Sequence, residues 1–255
     1  MNCYLCGDGI FMVLFDYLAP DKYERWVGLK KISRQWGVCI KCGFVQSFRN
    51  YPLGELEVIY KTGYRHPVFR GESMTTTYDR IMGLKYEASE NEQRCDWVRA
   101  YVEPCKVLDI GSGLGVFPVK MESFGFDVEC VEENVDSIEF IRGLGHECYN
   151  KIPKKEYDMV SLIHIVEHIE DPVPFLRGLK SNVGKWLFVE VPDAKEFKYL
   201  DKNHDEFNSC HVKFYSKNTL TTILERSGFV VKHITEKYYT DRNLSRVLAL
   251  CQTEV

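Results

Sequence analysis

The chain has 255 residues, 45% of them hydrophobic, and a formal charge of −4. That suffices to bury one large domain, or one plus a small module. With no long basic run, the acidic balance argues against a nucleic-acid backbone as the main partner. No apolar stretch reaches the length of a membrane span, and no charged region leads into a signal core. The chain therefore reads as soluble and cytoplasmic, and its ten cysteines as metal ligands and reduced thiols.

Cys3-x-x-Cys6 opens the chain and Cys39-x-x-Cys42 follows, each pair trailed by a glycine, Gly7 and Gly43. A Cys-x-x-Cys turn brings two thiolates onto one metal, and two such turns supply the four soft ligands of a closed tetrahedral zinc site. With all four positions filled, that zinc is structural. One pair cycling as a dithiol, or four unrelated core cysteines, are the competing readings. Strands are expected at 11–18 and 44–48, and residues 1–50 are read as a zinc-binding module that metal would help to order. Residues 51–103 are read as a linker and helical segment. Its stretch from Leu56 to Arg70 places Tyr60, Tyr64, Arg65, His66 and Arg70 where they could line an acceptor site or pack a solvated connection. From Ser73 apolar residues recur at helical spacing, with Gly83 interrupting and Pro104 stopping the pattern.

Lys106-Val-Leu-Asp-Ile-Gly-Ser-Gly-Leu-Gly115 organises the rest. A β-branched apolar run reads as a buried parallel strand, and Gly111, Gly113 and Gly115 let the chain turn sharply into a helix with a ligand against the backbone. The dinucleotide pattern would want glycine at position 116, which is Val116. A second strand, 126–131, ends at Glu132, a carboxylate placed to accept from ribose hydroxyls, with Glu133 one residue away. A third, 157–163, delivers His164-Ile-Val-Glu167-His168. A fifth covers 184–191. A long polar loop, 193–215, holds Cys210-His211-Val-Lys-Phe-Tyr215, and a helix from Lys217 and a closing hairpin complete the chain.

These motifs, in this order, resemble class I S-adenosyl-L-methionine (SAM) methyltransferases over residues 104–255. The resemblance implies an α/β, seven-stranded Rossmann-like sheet, mostly parallel with one antiparallel strand next to the edge. It assigns SAM binding to Asp109, Gly111, Gly113, Gly115, Glu132 and His164. With the cysteine pairs, the chain is similar to zinc-containing sugar methyltransferases, including C-3 methyltransferases of deoxysugar nucleotides. That implies Zn²⁺ on Cys3, Cys6, Cys39 and Cys42, and His211 as general base in a segment where the family's preceding glutamate is Cys210. Tyr60 and Tyr64 are the nearest matches to the family's acceptor-binding tyrosines. His164 and Tyr64 are the other catalytic candidates, and Glu167 and His168 are read as structural hydrogen-bonding groups. The family's C-methylating members carry a further carboxy-terminal domain, so the expected reaction is O-methylation of a sugar hydroxyl, on a nucleotide sugar or surface-glycan precursor. A histidine pKa near neutrality suits removal of the proton, and the scheme itself needs no metal. The alternatives are C-methylation, another small hydroxylated metabolite, or a non-catalytic subunit that binds a partner.

Overall fold

The computed structural model describes residues 2–63, 71–240 and 242–253, and Tyr64 through Arg70 lie outside them. Among the described residues, strands after the helical segment include β4 (Lys106–Ile110), β5 (Asp127–Val131), β6 (Cys148–Tyr149), β7 (Tyr157–Ile163), β8 (Val183–Pro192), β10 (Phe229–Tyr239) and β11 (Leu244–Thr253). They form a seven-stranded sheet in the order β10-β11-β8-β7-β4-β5-β6. β11 runs antiparallel to both neighbours and the other pairings are parallel, as expected from the sequence. Parallel strands need crossovers, which here include α5 (Val116–Glu122), α6 (Val135–Gly143), α7 (Pro172–Gly178) and α8 (Lys217–Arg226). Central strands covered on both faces explain why Val107, Leu108, Val160 and Leu162 are fully buried.

The amino-terminal residues form a smaller sheet, β1 (Phe11–Tyr17), β2 (Arg34–Cys39) and β3 (Val45–Arg49), with α1 (Lys22–Trp26) between the first two strands. Asp21 caps α1 and Glu24 returns the bond to the Asp21 N–H, a capping box. A fourth strand joins from far along the chain. β9 (Lys213–Phe214) pairs antiparallel with β3. Residues 193–215 are thus short 3₁₀ turns ending in a strand, rather than an open loop. Phe197, Phe207 and Phe214 from this stretch pack on Trp36 of β2, and Arg34 donates to the Phe207 carbonyl at 2.6 Å. Cys3, Leu5, Cys39 and Phe44 share one apolar cluster with Leu108, Val160 and Tyr215.

The helical segment comprises α2 (Glu57–Thr62), α3 (Met74–Met82) and α4 (Glu90–Arg99). Gly83 ends α3, and α4 stops at Ala100, short of Pro104. Ser73 and Ser89 cap α3 and α4 by accepting from the N–H three residues on. α4 then lies against the main sheet, with Cys95 and Val98 packed in one cluster with Val107, Phe117 and Phe188.

Candidate active site

The carboxyl ends of β4, β5, β6 and β7 open on a cavity of about 840 Å³, lined by Asp109, Gly111, Gly113, Glu132, His164 and His168 among others. This is the end at which a parallel sheet binds ligands. The turn after β4 is tied down by Gly111 and Ser112 N–H groups donating to the Val131 carbonyl at 2.8 and 3.1 Å. Gly111 sits at φ +77°, and a Cβ there would lie 2.1 Å from Cδ1 of Ile165. The angle disfavours any side chain, and a Cβ would also have to push the end of the Ile165 side chain aside. Asp109 is buried on β4, its Oδ1 accepting from the Ser161 hydroxyl at 2.7 Å. Burial raises its carboxyl to about 6, against the stabilising hydrogen bond from Ser161.

Glu132 is at the tip of β5. Its Oε2 accepts from the Gly113 N–H at 2.9 Å, and Oε1 from the N–H groups of Glu133 and Asn134 at 2.9 and 3.1 Å. Backbone donors therefore fix the carboxylate beside the glycine turn and leave it bordering the cavity. Asn134 caps α6 and donates to the Lys61 carbonyl of α2 at 3.0 Å, which ties the helical segment to the same rim.

The opposite end of the cavity is built on the 3₁₀ turn after β7. His164 adopts φ 56°, a left-handed conformation that costs a non-glycine residue about 1–3 kcal/mol. Its N–H donates to the Glu190 carbonyl at 2.9 Å. Nδ1 lies 3.0 Å from Glu167 Oε1 and Nε2 3.4 Å from Glu190 Oε1. Burial opposes protonation of this ring, but the two carboxylates outweigh it and lift the pKa to about 9. His164 therefore sits between two buried acids that favour its protonated form.

His168 lines the cavity, and His211 lies behind it with ring centroids 4.7 Å apart. His168 Nδ1 donates to the Cys210 carbonyl at 3.0 Å and also meets the Tyr60 hydroxyl at 3.0 Å. Burial, helped by the nearby His211, pushes His168 down to about 4. His211 Nδ1 donates to the Glu206 carbonyl at 2.7 Å, and the ring is 8% exposed. Tyr60 thus lines the cavity and bonds His168 there, while Tyr64 lies outside the described residues.

Beneath the cavity runs a charge network that sequence reasoning missed. Arg94 donates through Nε and Nη2 to the two carboxylate oxygens of Glu190, at 2.8 and 2.5 Å. Arg246 reaches Glu206 at 3.0 Å and Glu90 at 3.5 Å. The available signal was a charged residue inside an apolar strand: Glu190 between Val189 and Val191, and Arg246 beside Val247.

Away from the cavity, the two Cys-x-x-Cys turns face each other. Cys3 and Cys42 sulfurs are 3.5 Å apart, as are those of Cys6 and Cys39, and all four lie within 4.8 Å of one another. A tetrahedron with metal–sulfur bonds of about 2.3 Å has edges of about 3.8 Å, so the cluster fits one ion. Both turns close alike, with Gly7 and Gly43 at φ +76° and +72° donating to the carbonyls of Cys3 and Cys39.

A family profile described as a methyltransferase domain matches residues 73–234. The chain is 24% identical over 164 residues to a ubiquinone biosynthesis O-methyltransferase of Aliivibrio fischeri (strain MJ11), covering 52% of this chain and 68% of that protein. It is 27% identical over 135 residues to the enzyme of the same name from Bordetella avium (strain 197N), covering 46% and 53% respectively. Solved methyltransferase structures share the fold. Magnesium protoporphyrin IX methyltransferase from Synechocystis PCC 6803, with bound SAH, aligns with TM-score 0.61 at 12% identity, covering 78% of this chain and all of that one. Burkholderia thailandensis 1,6-didemethyltoxoflavin-N1-methyltransferase, with its substrate and S-adenosylhomocysteine bound, aligns with TM-score 0.60 at 13% identity, covering 85% and 98%.

Proposed function

The chain belongs to the methyltransferase domain family and is a SAM-dependent methyltransferase, and from that premise we propose that it methylates a hydroxyl oxygen of a small acceptor. The observation that carries this is a single cavity joining two kinds of end. At one, the glycine turn and Glu132 suit a nucleoside, with ribose hydroxyls donating to the carboxylate. At the other, His168 lines the wall, with Glu167 and His211 close behind it, and offers a place for an acceptor hydroxyl to lose its proton. The volume is ample for donor and acceptor together. An oxygen acceptor agrees with the O-methyltransferases to which the chain is similar. A sugar, as a nucleotide sugar or surface-glycan precursor, is favoured by the cysteine module's resemblance to sugar methyltransferases, and Tyr64 remains a candidate acceptor contact.

Sulfonium already makes the methyl group electrophilic, so the protein's work is alignment and removal of one proton. The test has two steps. Calorimetry should detect SAM binding, and Glu132→Ala should weaken it roughly 10–100-fold, the worth of a hydrogen bond to a charged group. A panel of nucleotide sugars, free sugars and phenols is then screened for methylated product by mass spectrometry. Transfer to phenols alone would overturn the sugar assignment, and no SAM binding would overturn the donor site.

The cysteine cluster is assigned to one structural zinc ion on Cys3, Cys6, Cys39 and Cys42. Metal analysis should find that ion in wild-type protein and miss it in Cys39→Ser, with a lower melting temperature, because Cys39 shares its apolar cluster with the main sheet. Retention of the full zinc content by that variant would remove Cys39 from the ligand set.

A further inference from the structure

A second cavity, of about 380 Å³, lies where the amino-terminal sheet meets the residues that enter β9. It shares Leu53 and Glu170 with the wall of the main cavity, and its volume falls within the range of small-molecule sites, about 300–1,000 Å³. Two cations line it, Arg49 at the end of β3 and Lys213 on β9. Gln46 of β3 pairs with Lys213 in the ladder, so strand pairing brings together two charges that are far apart in sequence.

Lys213 is 6% exposed. Its Nζ donates to the carbonyls of Glu170 at 2.5 Å and Ile169 at 3.4 Å, and stands 4.7 Å from the centroid of the Tyr4 ring. An ammonium has a third N–H, which finds no acceptor among the described residues. Arg49 is half-buried. Its Nη1 donates to the Ser209 carbonyl at 2.9 Å, and Nη2 to the Ser47 hydroxyl and the His211 carbonyl, both at 3.2 Å. Nε and the second Nη1 hydrogen are left over.

Every one of these acceptors is neutral. Nearby acids are engaged elsewhere: Asp171 accepts from the Tyr4 hydroxyl, and Glu24 from Arg34 and the Tyr51 hydroxyl. Glu170 is exposed and meets Lys213 through its carbonyl. Among the described residues neither cation forms an ion pair. Taking a cation out of water without an opposite charge is costly. Burial accordingly pushes the Lys213 ammonium down to about 8, against the pull of Glu170 and Asp171, and lowers Arg49 as well. An anion seated between them would offset that cost. Two positive charges match a phosphate group, which carries about −1.5 to −2 at pH 7, better than they match a single carboxylate. Guanidinium is also the usual partner of phosphate oxygens, with lysine as an added point charge.

We propose that Arg49 and Lys213 form a binding site for a phosphate group of the acceptor, whose hydroxyl-bearing part reaches past Leu53 and Glu170 into the main cavity. The assignment rests on the reading of sugar O-methylation and narrows it to phosphorylated sugars, nucleotide sugars included, over free sugars. Arg49 holds the His211 carbonyl, so phosphate recognition and the proton-accepting end share one short run of backbone.

The probe is inorganic pyrophosphate, titrated into the full chain without SAM and followed by calorimetry, with malonate at equal ionic strength as the carboxylate control. One pyrophosphate per chain is expected, and malonate should bind at least tenfold more weakly. Lys213→Met and Arg49→Gln should each weaken pyrophosphate binding roughly 10–100-fold, the worth of a hydrogen bond to a charged group. Glu132→Ala, at the donor end of the main cavity, should leave it unchanged. No saturable binding of pyrophosphate to the wild type overturns the site with no variant involved. Undiminished binding in both variants, shown to be folded by melting temperature and SAM affinity, overturns it equally. Malonate binding as tightly as pyrophosphate overturns the choice of phosphate. With a phosphorylated acceptor, both variants should raise the acceptor KM and leave kcat little changed, because the phosphate lies away from the reacting atoms. Competition by a nucleoside diphosphate and by a sugar 1-phosphate then separates the two sources of the group, the tighter competitor identifying the acceptor class. The two readings fail separately. Pyrophosphate binding without transfer to any sugar removes the sugar reading alone, and transfer to free sugars as efficient as to phosphorylated ones removes the phosphate site alone.

Discussion

Replacing His211 is expected to lower turnover by roughly 10²–10⁴-fold, the range lost with a positioned proton-transfer group, while SAM affinity stays near that of the wild type. The separation follows from the layout of the cavity. Donor contacts gather at the turn after β4 and at Glu132, whereas His211 lies behind His168 at the far end. Its Nδ1 is spent on the Glu206 carbonyl, which leaves Nε2 as the nitrogen for a base's task. Alanine would also leave a gap beside Phe214, whose ring is edge-on to His211 with centroids 5.5 Å apart. Glutamine is therefore the better probe, since its amide can still donate to the carbonyl and fill part of the space. The informative measurement is kcat at saturating SAM, beside the SAM dissociation constant and the melting temperature. Near-normal turnover in His211→Gln would exclude His211 from the chemistry. A parallel fall in SAM affinity would mean that the two ends of the cavity are not independent.

What could be read from the sequence was local. The glycine turn, the carboxylate at the tip of β5 and the paired cysteine knuckles are each encoded within a few residues, by backbone angles or ligand spacing that few residue types satisfy. The seven-stranded order followed because the motifs come in a fixed succession. Hidden features were set by distant partners. β2, which begins with Arg34 and Gln35, lacks an apolar alternation strong enough to mark it, and β6 spans two residues. β9 exists because β3 offers an edge far back in the chain, so residues 193–215 read as a polar loop. The same limitation applied to His164 and His211. Sequence placed both near the reacting centre, but it could not show the two buried acids that flank His164 or the ring that separates His211 from the cavity.

The buried pair under the cavity gives the largest expected effect on stability. Arg94 and Glu190 side chains are 6% and 0% exposed and meet through two parallel hydrogen bonds. Burial alone would raise the Glu190 carboxyl, but Arg94, with His164, holds it well below the usual carboxylate range. Arg94→Ala takes away the main counter-charge and leaves the carboxylate inside the sheet with His164 at 3.4 Å. Breaking one side of such a pair costs about 3–5 kcal/mol, which for a chain of this size lowers the melting temperature by roughly 6–20 °C. The pair need not be worth that much in itself, because desolvation of both ions offsets most of their attraction. Arg94→Met combined with Glu190→Gln should therefore be less destabilised than the sum of the two single changes. Melting curves recorded without SAM isolate this effect from any change at the cavity wall, which Arg94 also forms. If Arg94→Ala melted within a degree or two of the wild type, the carboxylate would have to find another partner or take up a proton. If instead the double variant were as unstable as the two single changes together, the two residues would act through separate neighbours, Arg94 through Glu90 at 3.8 Å and Glu190 through His164.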